Sequence, residues 1–401
     1  MQTSMTEPES LVGKRIILVI GGLEMGGTER QALLLAQFLQ DNRGAEVELW
    51  GFSKPGLLSE FCDEQGIRWR YIPFEWPMYV ERITTNILCS CIRGFSIVKF
   101  GRLLRRVRPD IIISYTMIPN LVCGIVWQKT GARVLIWNQR DEGRHRMGKF
   151  WEKLAVSRTS WFASNSLHGA DFLVQQLAVS KERVRVIHNA VRLAPQKADR
   201  MTWRKRLSVG NNAFVACMVA NLHRFKDHQT LLKAWKKVAF VCQSTGRDSV
   251  LLLAGRFSDT YESLMKLAAD LDLGESVRFL GQVTDITGIL GAADIGVFSS
   301  RFEGSPNAVL ECMAAELPIV ATDIPGIREA LGGHASSFLV PPGDAEKMAD
   351  KILELFVARK KRKEQGRLNR RRIEDHFNPD DVVAKMSNYV MHSFSRTGAE
   401  S

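Results

Sequence analysis

Residues 294–323, DIGVFSSRFEGSPNAVLECMAAELPIVATD, read as a strand, a loop, a helix and a second strand. DIGVFS (294–299) and PIVATD (318–323) are short, mostly apolar runs without clean polar alternation, the pattern of parallel strands buried on both faces. Ser305-Pro306 has the form of a helix N-cap followed by proline at the first helical position. The helix is expected to run to about Glu316, where Leu317-Pro318 stops it. Strand, crossover helix and strand together imply a parallel α/β sheet.

The alternation extends outward from this unit. FVACMVA (214–220), VLLLAG (250–255) and VRFLG (277–281) precede it and SFLV (337–340) follows, before a helical, highly charged stretch at 346–393. An earlier series comprises 15–20, 47–52, 68–72, 110–114, 134–137, 161–164 and 184–187, with helical segments such as GTERQALLLAQFL (27–39) between them. The polar, strandless and basic stretch 192–212 separates the two series. The expected fold class is α/β, with two doubly wound Rossmann-like domains facing a central cleft. The expected bounds are 1–193 and 194–375, with a C-terminal helix and tail, 376–401, packing back on the first domain. In such sheets ligands bind beyond the carboxyl ends of the strands, so candidate chemistry is sought there.

Composition narrows the classes. A chain of 401 residues, 45% hydrophobic and 24% charged, suffices for two domains with substantial cores. The polar, acidic start MQTSMTEPES lacks the basic and apolar regions of a secretion signal, and no run of about 18 uncharged apolar residues occurs. A cytoplasmic location follows as the expectation. Cysteines 62, 89, 91, 123, 217, 242 and 312 form no CxxC pair and have mostly apolar neighbours, which reads as reduced core residues without a zinc site. The net charge of +12 points to an anionic partner, either a nucleotide diphosphate or an acidic membrane surface, with a solvated basic surface as the plainer reading. No zinc-knuckle, helix-turn-helix or RNP pattern is present, so nucleic acid is not an expected partner.

Four segments carry candidate chemistry. The N–H groups of Asn307, Ala308 and Val309 would open the helix after Ser305-Pro306, and a helix N-terminus is suited to a diphosphate. Glu303 precedes that helix. Glu311 lies inside it among Leu310, Cys312 and Met313, where an idle carboxylate is costly to bury. In VANLHRFKDHQTLLKAW (219–235), Arg224 and Lys226 follow a strand end, placed to meet the charge that grows on a leaving diphosphate. In GGLEMGGTERQALLLAQFL (21–39) a glycine turn leads from strand to helix and admits close approach of a ligand, although the glycines lack GxGxxG spacing. In VLIWNQRDEG (134–143), Arg140 either binds a sugar or phosphate or pairs with Asp141. The eight histidines form no HExxH or triad pattern.

The segment 299–326 resembles the glutamate-pair signature of glycosyltransferase family 4, retaining enzymes with the GT-B fold. The resemblance extends over nearly the whole chain, through the glycine loop, IHNAV (187–191) and FLGQV (279–283). It implies that Glu303 lies by the donor sugar and Glu311 holds the ribose hydroxyls. Gly304, Ser305 and the N–H groups of 307–309 would then serve the donor, Lys226 and Arg224 the diphosphate, and Gly26 and Gly27 the donor phosphates and acceptor. Asn221, where arginine is frequent in the family, leaves Arg224 as its substitute. The implied function is retaining, metal-independent transfer of a sugar from a nucleotide-diphosphate donor, with no cofactor, to a glycan or lipid-linked acceptor in polysaccharide or glycoconjugate assembly. The rival readings are a catalytically silent nucleotide-sugar-binding protein and a sugar-nucleotide epimerase.

NILCSCIRGFSIVKFGRLLRRVR (86–108) mixes apolar groups with Arg93, Lys99, Arg102, Arg105, Arg106 and Arg108. Its cations read as spread around a helical wheel interrupted by Gly94 and Gly101, so a sheet-covering helix with a basic end is the plainer expectation and peripheral attachment at the inner membrane face the alternative.

Overall fold

The computed structural model describes residues 10–74, 87–143, 148–193 and 197–399, with the side chains of 87–91 and 398–399 outside the description. The polar start at 1–9, Asn86 and the side chains of Cys89 and Cys91 therefore lie outside the described residues. The chain forms two compact units, 1–190 joined by 380–401, and 191–379.

The first unit is built on β1 (Arg15–Ile20), β2 (Glu46–Gly51), β3 (Arg68–Tyr71), β4 (Ile111–Tyr115), β5 (Val134–Gln139), β6 (Trp161–Ser164) and β7 (Val184–Val186). Their order in the sheet is β3-β2-β1-β4-β5-β6-β7, and every described pair is parallel. The second unit holds β8 (Phe214–Val219), β9 (Ser249–Ala254), β10 (Val277–Gly281), β11 (Ile295–Phe298), β12 (Ile319–Thr322) and β13 (Leu339–Val340), in the parallel order β10-β9-β8-β11-β12-β13. All residues of β5, β9, β11 and β12 are buried, whereas the edge strand β3 alternates between exposed and half-buried. Burial on both faces explains why the inner strands carry uninterrupted apolar runs. In each sheet the strand order reverses between its first and fourth strands in chain order, β1/β4 and β8/β11. Those are the points where an open α/β sheet leaves a crevice at its carboxyl edge.

The C-terminal helix Pro379–Ala399 returns to the first unit and buries Val382, Met386, Tyr389, Val390 and Phe394 in its core. Tyr389 donates its hydroxyl to Phe162 O (2.9 Å), Arg43 Nε donates to Ser387 Oγ (3.0 Å), and the Arg133 guanidinium lies 4.0 Å from the Phe394 ring centre. The units divide at 190/191 and 379/380 instead of 193/194 and 375/376. Val191 and Phe377 both belong to the core of the second unit, and Val191 N donates to Phe377 O (3.2 Å), so the two crossings are clasped together on that side.

The stretch 192–212 is not a bare connector. It contains the helix Arg200–Arg206, whose Arg204 is buried and donates to the carbonyls of Ala292, Gly210, Asn211 and Ala213 and to Asp294. Asp294 also takes Arg200 (2.8 Å) and Val215 N (2.8 Å), which anchors the segment at the start of β8 and β11.

The basic segment also departs from expectation. Helix Ile87–Val107 runs unbroken through Gly94 and Gly101, and a Cβ at Gly101 would lie 3.2 Å from Val126, so glycine there admits the helix Met117–Val126. Ile97, Phe100 and Leu104 face the core. At 100° per residue, the exposed Lys99, Arg102, Arg105 and Arg106 fall within an arc of about 120°, the face that also carries Ile92, Phe95 and Val98. These four cations share the outward face because the buried triad fixes which side turns out. Half-buried Arg93 falls on the side of the triad and Arg108 lies beyond the helix, so the six cations of the segment do not all gather on one face.

Cys62, Cys123, Cys217, Cys242 and Cys312 are free and buried. Burial pushes the Cys62 thiol up to about 11 and Cys217 to about 12, and Cys312 is raised well above the ordinary value. A raised pKa leaves little thiolate at pH 8. These five cysteines are therefore expected to stay unmodified by iodoacetamide in the native chain and to react after denaturation, as read by peptide mass spectrometry.

Candidate functional site

β8 and β11 pair side by side, with Ile295 opposite Ala216 and Gly296 opposite Cys217, so the loops that follow them are neighbours. The first loop contains a single 3₁₀ turn, Arg224–Lys226, then Asp227 and the helix His228–Ser244. Asp227 sits at φ 48°, in the left-handed region that aspartate tolerates, and caps the helix by accepting from Thr230 N (3.4 Å) and Thr230 Oγ1 (2.9 Å). The second loop covers 299–306. Three contacts join the two: Arg301 N donates to Phe225 O (2.9 Å), Ser299 Oγ to Lys226 O (2.9 Å), and Arg301 Nε to Asp227 Oδ2 (2.8 Å).

Held in this way, Lys226 Nζ donates to Glu303 Oε1, and Ser300 Oγ donates to the same oxygen (2.8 Å). The Glu303 side chain is 11% exposed, so the ion pair is largely screened from water. Ser300 is fixed in turn, its carbonyl accepting from Thr322 Oγ1 at the end of β12 (2.5 Å). Beneath the loop lies the helix Pro325–Leu331, where a Cβ on Gly326 would overlap the carbonyl oxygens of Glu303 and Gly304. A side chain at 326 therefore cannot coexist with this loop position.

The helix after the loop starts one residue later than the Ser-Pro pattern implies. It spans Asn307–Ala314 with Pro306 as its N-cap, and the Pro306 carbonyl accepts from Val309 N (3.0 Å) and Leu310 N (3.2 Å). Val309 is thereby withdrawn from the anion-facing donors, and the helix end is represented by Asn307 and Ala308, behind buried Gly304 and half-buried Ser305. The helix also ends early, at Ala314. Arg370 donates to Ala314 O (2.8 Å), Asn369 to Leu317 O (2.8 Å), and Glu316 turns at φ 57°. Glu311 is buried at the fifth position of the helix.

Arg224 is not brought to the Lys226–Glu303 pair. In a 3₁₀ turn residues advance by about 120° each, so side chains two apart diverge. Arg224 lies over the Phe225 ring (4.9 Å to its centre) and lines a hollow with His228 and Arg301. Asn221 accepts from Arg256 N (3.1 Å), which ties the loop after β8 to the loop after β9.

In the first unit, Gly26 is the extended N-cap of helix Gly27–Arg43, and a Cβ there would stand 2.5 Å from Glu29 Oε2. Arg140 follows β5 and is enclosed. Its Nη2 donates to Asn189 Oδ1 (2.5 Å), and burial lowers its pKa to about 10 against the opposing influence of Tyr115 and Glu29. Asp141 instead accepts from Gln139 Nε2 (3.0 Å) and Gly143 N (2.8 Å), so of the two alternatives for Arg140 the Asp141 pair does not form. β1, β4 and β5 run parallel side by side, so the glycine turn after β1 and the loop after β5 leave the same carboxyl edge of the first sheet.

Four residues of the second unit were not singled out from sequence: Asp227, Thr230, Ser300 and Gly326. The spacing of Asp227 and Thr230 is a legible capping signal, whereas Ser300 is defined by Thr322 and Gly326 by the Glu303–Gly304 backbone, each distant in sequence and met only in the fold. His228 is 1% exposed and neither ring nitrogen has a hydrogen-bond partner among the described residues. Burial pushes its pKa down to about 4, with Lys226 lowering it further and Asp227 opposing. Among the described residues no group of three or more His, Cys, Asp or Glu side chains converges, and no helix is long and apolar enough to cross a membrane.

Residues 213–357 match the family described as Glycosyl transferases group 1, and residues 25–194 match Glycosyltransferase Family 4. The chain belongs to the group 1 glycosyltransferases. This glycosyltransferase is 21% identical over 301 residues to the N-acetyl-alpha-D-glucosaminyl L-malate synthase of Bacillus anthracis, covering 72% of this chain and 76% of the relative. It is 24% identical over 289 residues to the UDP-Gal:alpha-D-GlcNAc-diphosphoundecaprenol alpha-1,3-galactosyltransferase of Escherichia coli, covering 69% and 74%. Its fold is that of Anabaena HepE, solved with UDP-glucose, at a TM-score of 0.78 and 18% identity over 94% of this chain and 99% of the other. The fold class is GT-B, two α/β units on parallel sheets.

Gly326→Ala is expected to displace the Glu303–Gly304 backbone and lower the transfer rate about a hundredfold, the scale for an ångström-sized misplacement of a reacting group. The melting temperature should fall by only a few degrees. An unchanged rate in the folded variant would show that the loop position is immaterial.

Proposed function

We propose that this glycosyltransferase moves a sugar from a nucleotide-diphosphate donor to a glycan or lipid-linked acceptor, with retention of anomeric configuration and without a metal ion, in polysaccharide or glycoconjugate assembly. The observation that carries the reading is the Lys226–Glu303 pair, held at the β8/β11 switch point immediately before the helix Asn307–Ala314. A UDP-glucose complex of a protein with this fold and the diphosphoundecaprenol acceptor in a relative's name support the donor and acceptor classes.

In this reading Lys226 and the N-terminal end of the helix, with Gly304 and Ser305, stabilise the diphosphate as the bond from the anomeric carbon to its oxygen breaks. The acceptor oxygen bonds to the same face of that carbon and passes its proton to the departing phosphate oxygen. Glu303 orients the donor sugar and offsets positive charge developing on the ring. Glu311, buried on the helix, accepts from the ribose hydroxyls. Arg224, which diverges from Lys226, has no part in the leaving-group site. In the first unit, the N–H groups of Gly26 and Gly27 and the enclosed Arg140 are the groups suited to phosphate and acceptor. Charge stabilisation falls to protein groups alone, so no cofactor is required.

A panel of UDP- and GDP-sugars in excess EDTA, with product anomers read by NMR, tests the reading. Transfer with retention is expected, reduced about a hundredfold in Lys226→Ala, the scale for a lost charge-stabilising group. Folded Glu311→Ala should bind the nucleotide more weakly. Activity lost on chelation and restored by magnesium or manganese would overturn the metal-free mechanism, and inversion would overturn retention.

A lipid-linked acceptor would also give the outward face of helix Ile87–Val107 a purpose. Four cations beside Ile92, Phe95 and Val98 suit attachment to an anionic membrane at the cytoplasmic side. Co-sedimentation with phosphatidylglycerol vesicles is expected at low salt, fading as the ionic strength rises to physiological, where the screening length is about 8 Å. Absence of binding at low salt would favour a soluble acceptor.

A further inference from the structure

The hollow entered by Arg224 lies wholly within the second unit. It is bounded by loop residues 223–225, 227 and 301–302, the first turn of helix His228–Ser244 and the helix Tyr261–Asp270. Its volume of about 650 Å³ is in the range of a small-ligand pocket.

Three features give it a chemistry. His228 lines the hollow with an imidazole that is 1% exposed and has no hydrogen-bond partner on either nitrogen among the described residues. Buried polar groups are nearly always hydrogen-bonded, so this ring fits a partner supplied from the hollow it lines. The charge balance is cationic: Arg301 and Asp227 on the wall are paired with each other, which leaves Arg224 and Lys266 against Asp270. The N-terminal end of a seventeen-residue helix adds partial positive charge. Phe302, 46% exposed at the rim, offers an apolar ring face of the kind that packs against the C–H face of a sugar.

We propose that this hollow is a second ligand site, for a sugar that carries a phosphate or carboxylate: Arg224 and Lys266 take the anionic group, Phe302 covers a sugar face, and His228 hydrogen-bonds a hydroxyl. It uses neither Lys226, Glu303 nor Glu311, so it does not depend on the mechanism proposed above. Phe225, Asp227 and Arg301 belong both to its wall and to the contacts that hold Lys226 beside Glu303, so occupancy is expected to bear on the transfer rate. The ligand is either a charged residue of the acceptor or a free sugar phosphate.

Calorimetric titration of the full chain with glucose 6-phosphate and with glucuronate, with glucose as the neutral control, tests the site. Saturable binding of a charged probe is expected, at least tenfold tighter than glucose and at least tenfold weaker in Lys266→Glu. The affinity for whichever of UDP and GDP the chain binds should change less than twofold in that variant. His228→Phe, which removes the ring nitrogens at similar ring size, should also weaken probe binding at least tenfold. Should it fail to fold, the exposed Lys266→Glu variant decides alone. Absence of saturable binding by both charged probes, indifference to Lys266→Glu, or displacement of the probe by the nucleotide would overturn the proposal. Failure of the nucleotide to bind would instead count against the donor reading. In a transfer assay, a probe that is glycosylated or competes with acceptor marks an acceptor subsite, and one that alters kcat without being consumed marks an effector site.

Discussion

The second unit depends on the clasp between the loops that follow β8 and β11. Parallel pairing brings the two strand ends together at the one place in the sheet where the crossovers diverge. What fills that gap is three polar contacts, Arg301 N to Phe225 O, Ser299 to Lys226 O and Arg301 to Asp227. Two of them use backbone carbonyls of the 3₁₀ turn, so they set the path of the turn itself and with it the direction of Lys226. Glu303 then meets a cation already in place, Ser300 donates to its carboxylate from the side, and Gly326 leaves room for the Glu303–Gly304 backbone. A paired, screened carboxylate costs far less to hold than an isolated one, which is how such a loop keeps an ionised group out of water.

The same clasp has two sides. The turn that aims Lys226 at Glu303 sends Arg224 away, because a 3₁₀ turn cannot present residues two apart on one face. The cationic character of the chain is thus divided among separate places. Lys226 faces a carboxylate, Arg224 and Lys266 face the hollow beside His228, Arg140 is enclosed in the first unit, and Lys99, Arg102, Arg105 and Arg106 form an outward stripe. Buried arginines take on structural work as well. Arg204 holds the segment that enters the second unit, and Val191 with Phe377 clasps both points where the chain crosses between units.

Much of this was readable from the residues alone. Strands buried on both faces must be apolar throughout, so short runs such as VLLLAG and DIGVFS announced a parallel sheet, and their spacing announced crossover helices. The residue types of Glu303, Glu311 and Lys226 at strand ends and on a helix marked the second unit as the place for chemistry. These are properties of local sequence, since burial of a strand and charge at a loop need no knowledge of what lies opposite. Tertiary structure decided the rest. The N-cap moved to Pro306 because its carbonyl meets the first turn, and helix Asn307–Ala314 stops where Arg370 takes the Ala314 carbonyl and Asn369 holds the Leu317 carbonyl just beyond it. Four of the cations of helix Ile87–Val107 share an outward face, and Arg93 does not, because Ile97, Phe100 and Leu104 chose which side to bury. His228 and Gly326 acquired their meaning from the absence of room or of partners around them, and room and partners are set by elements remote in sequence.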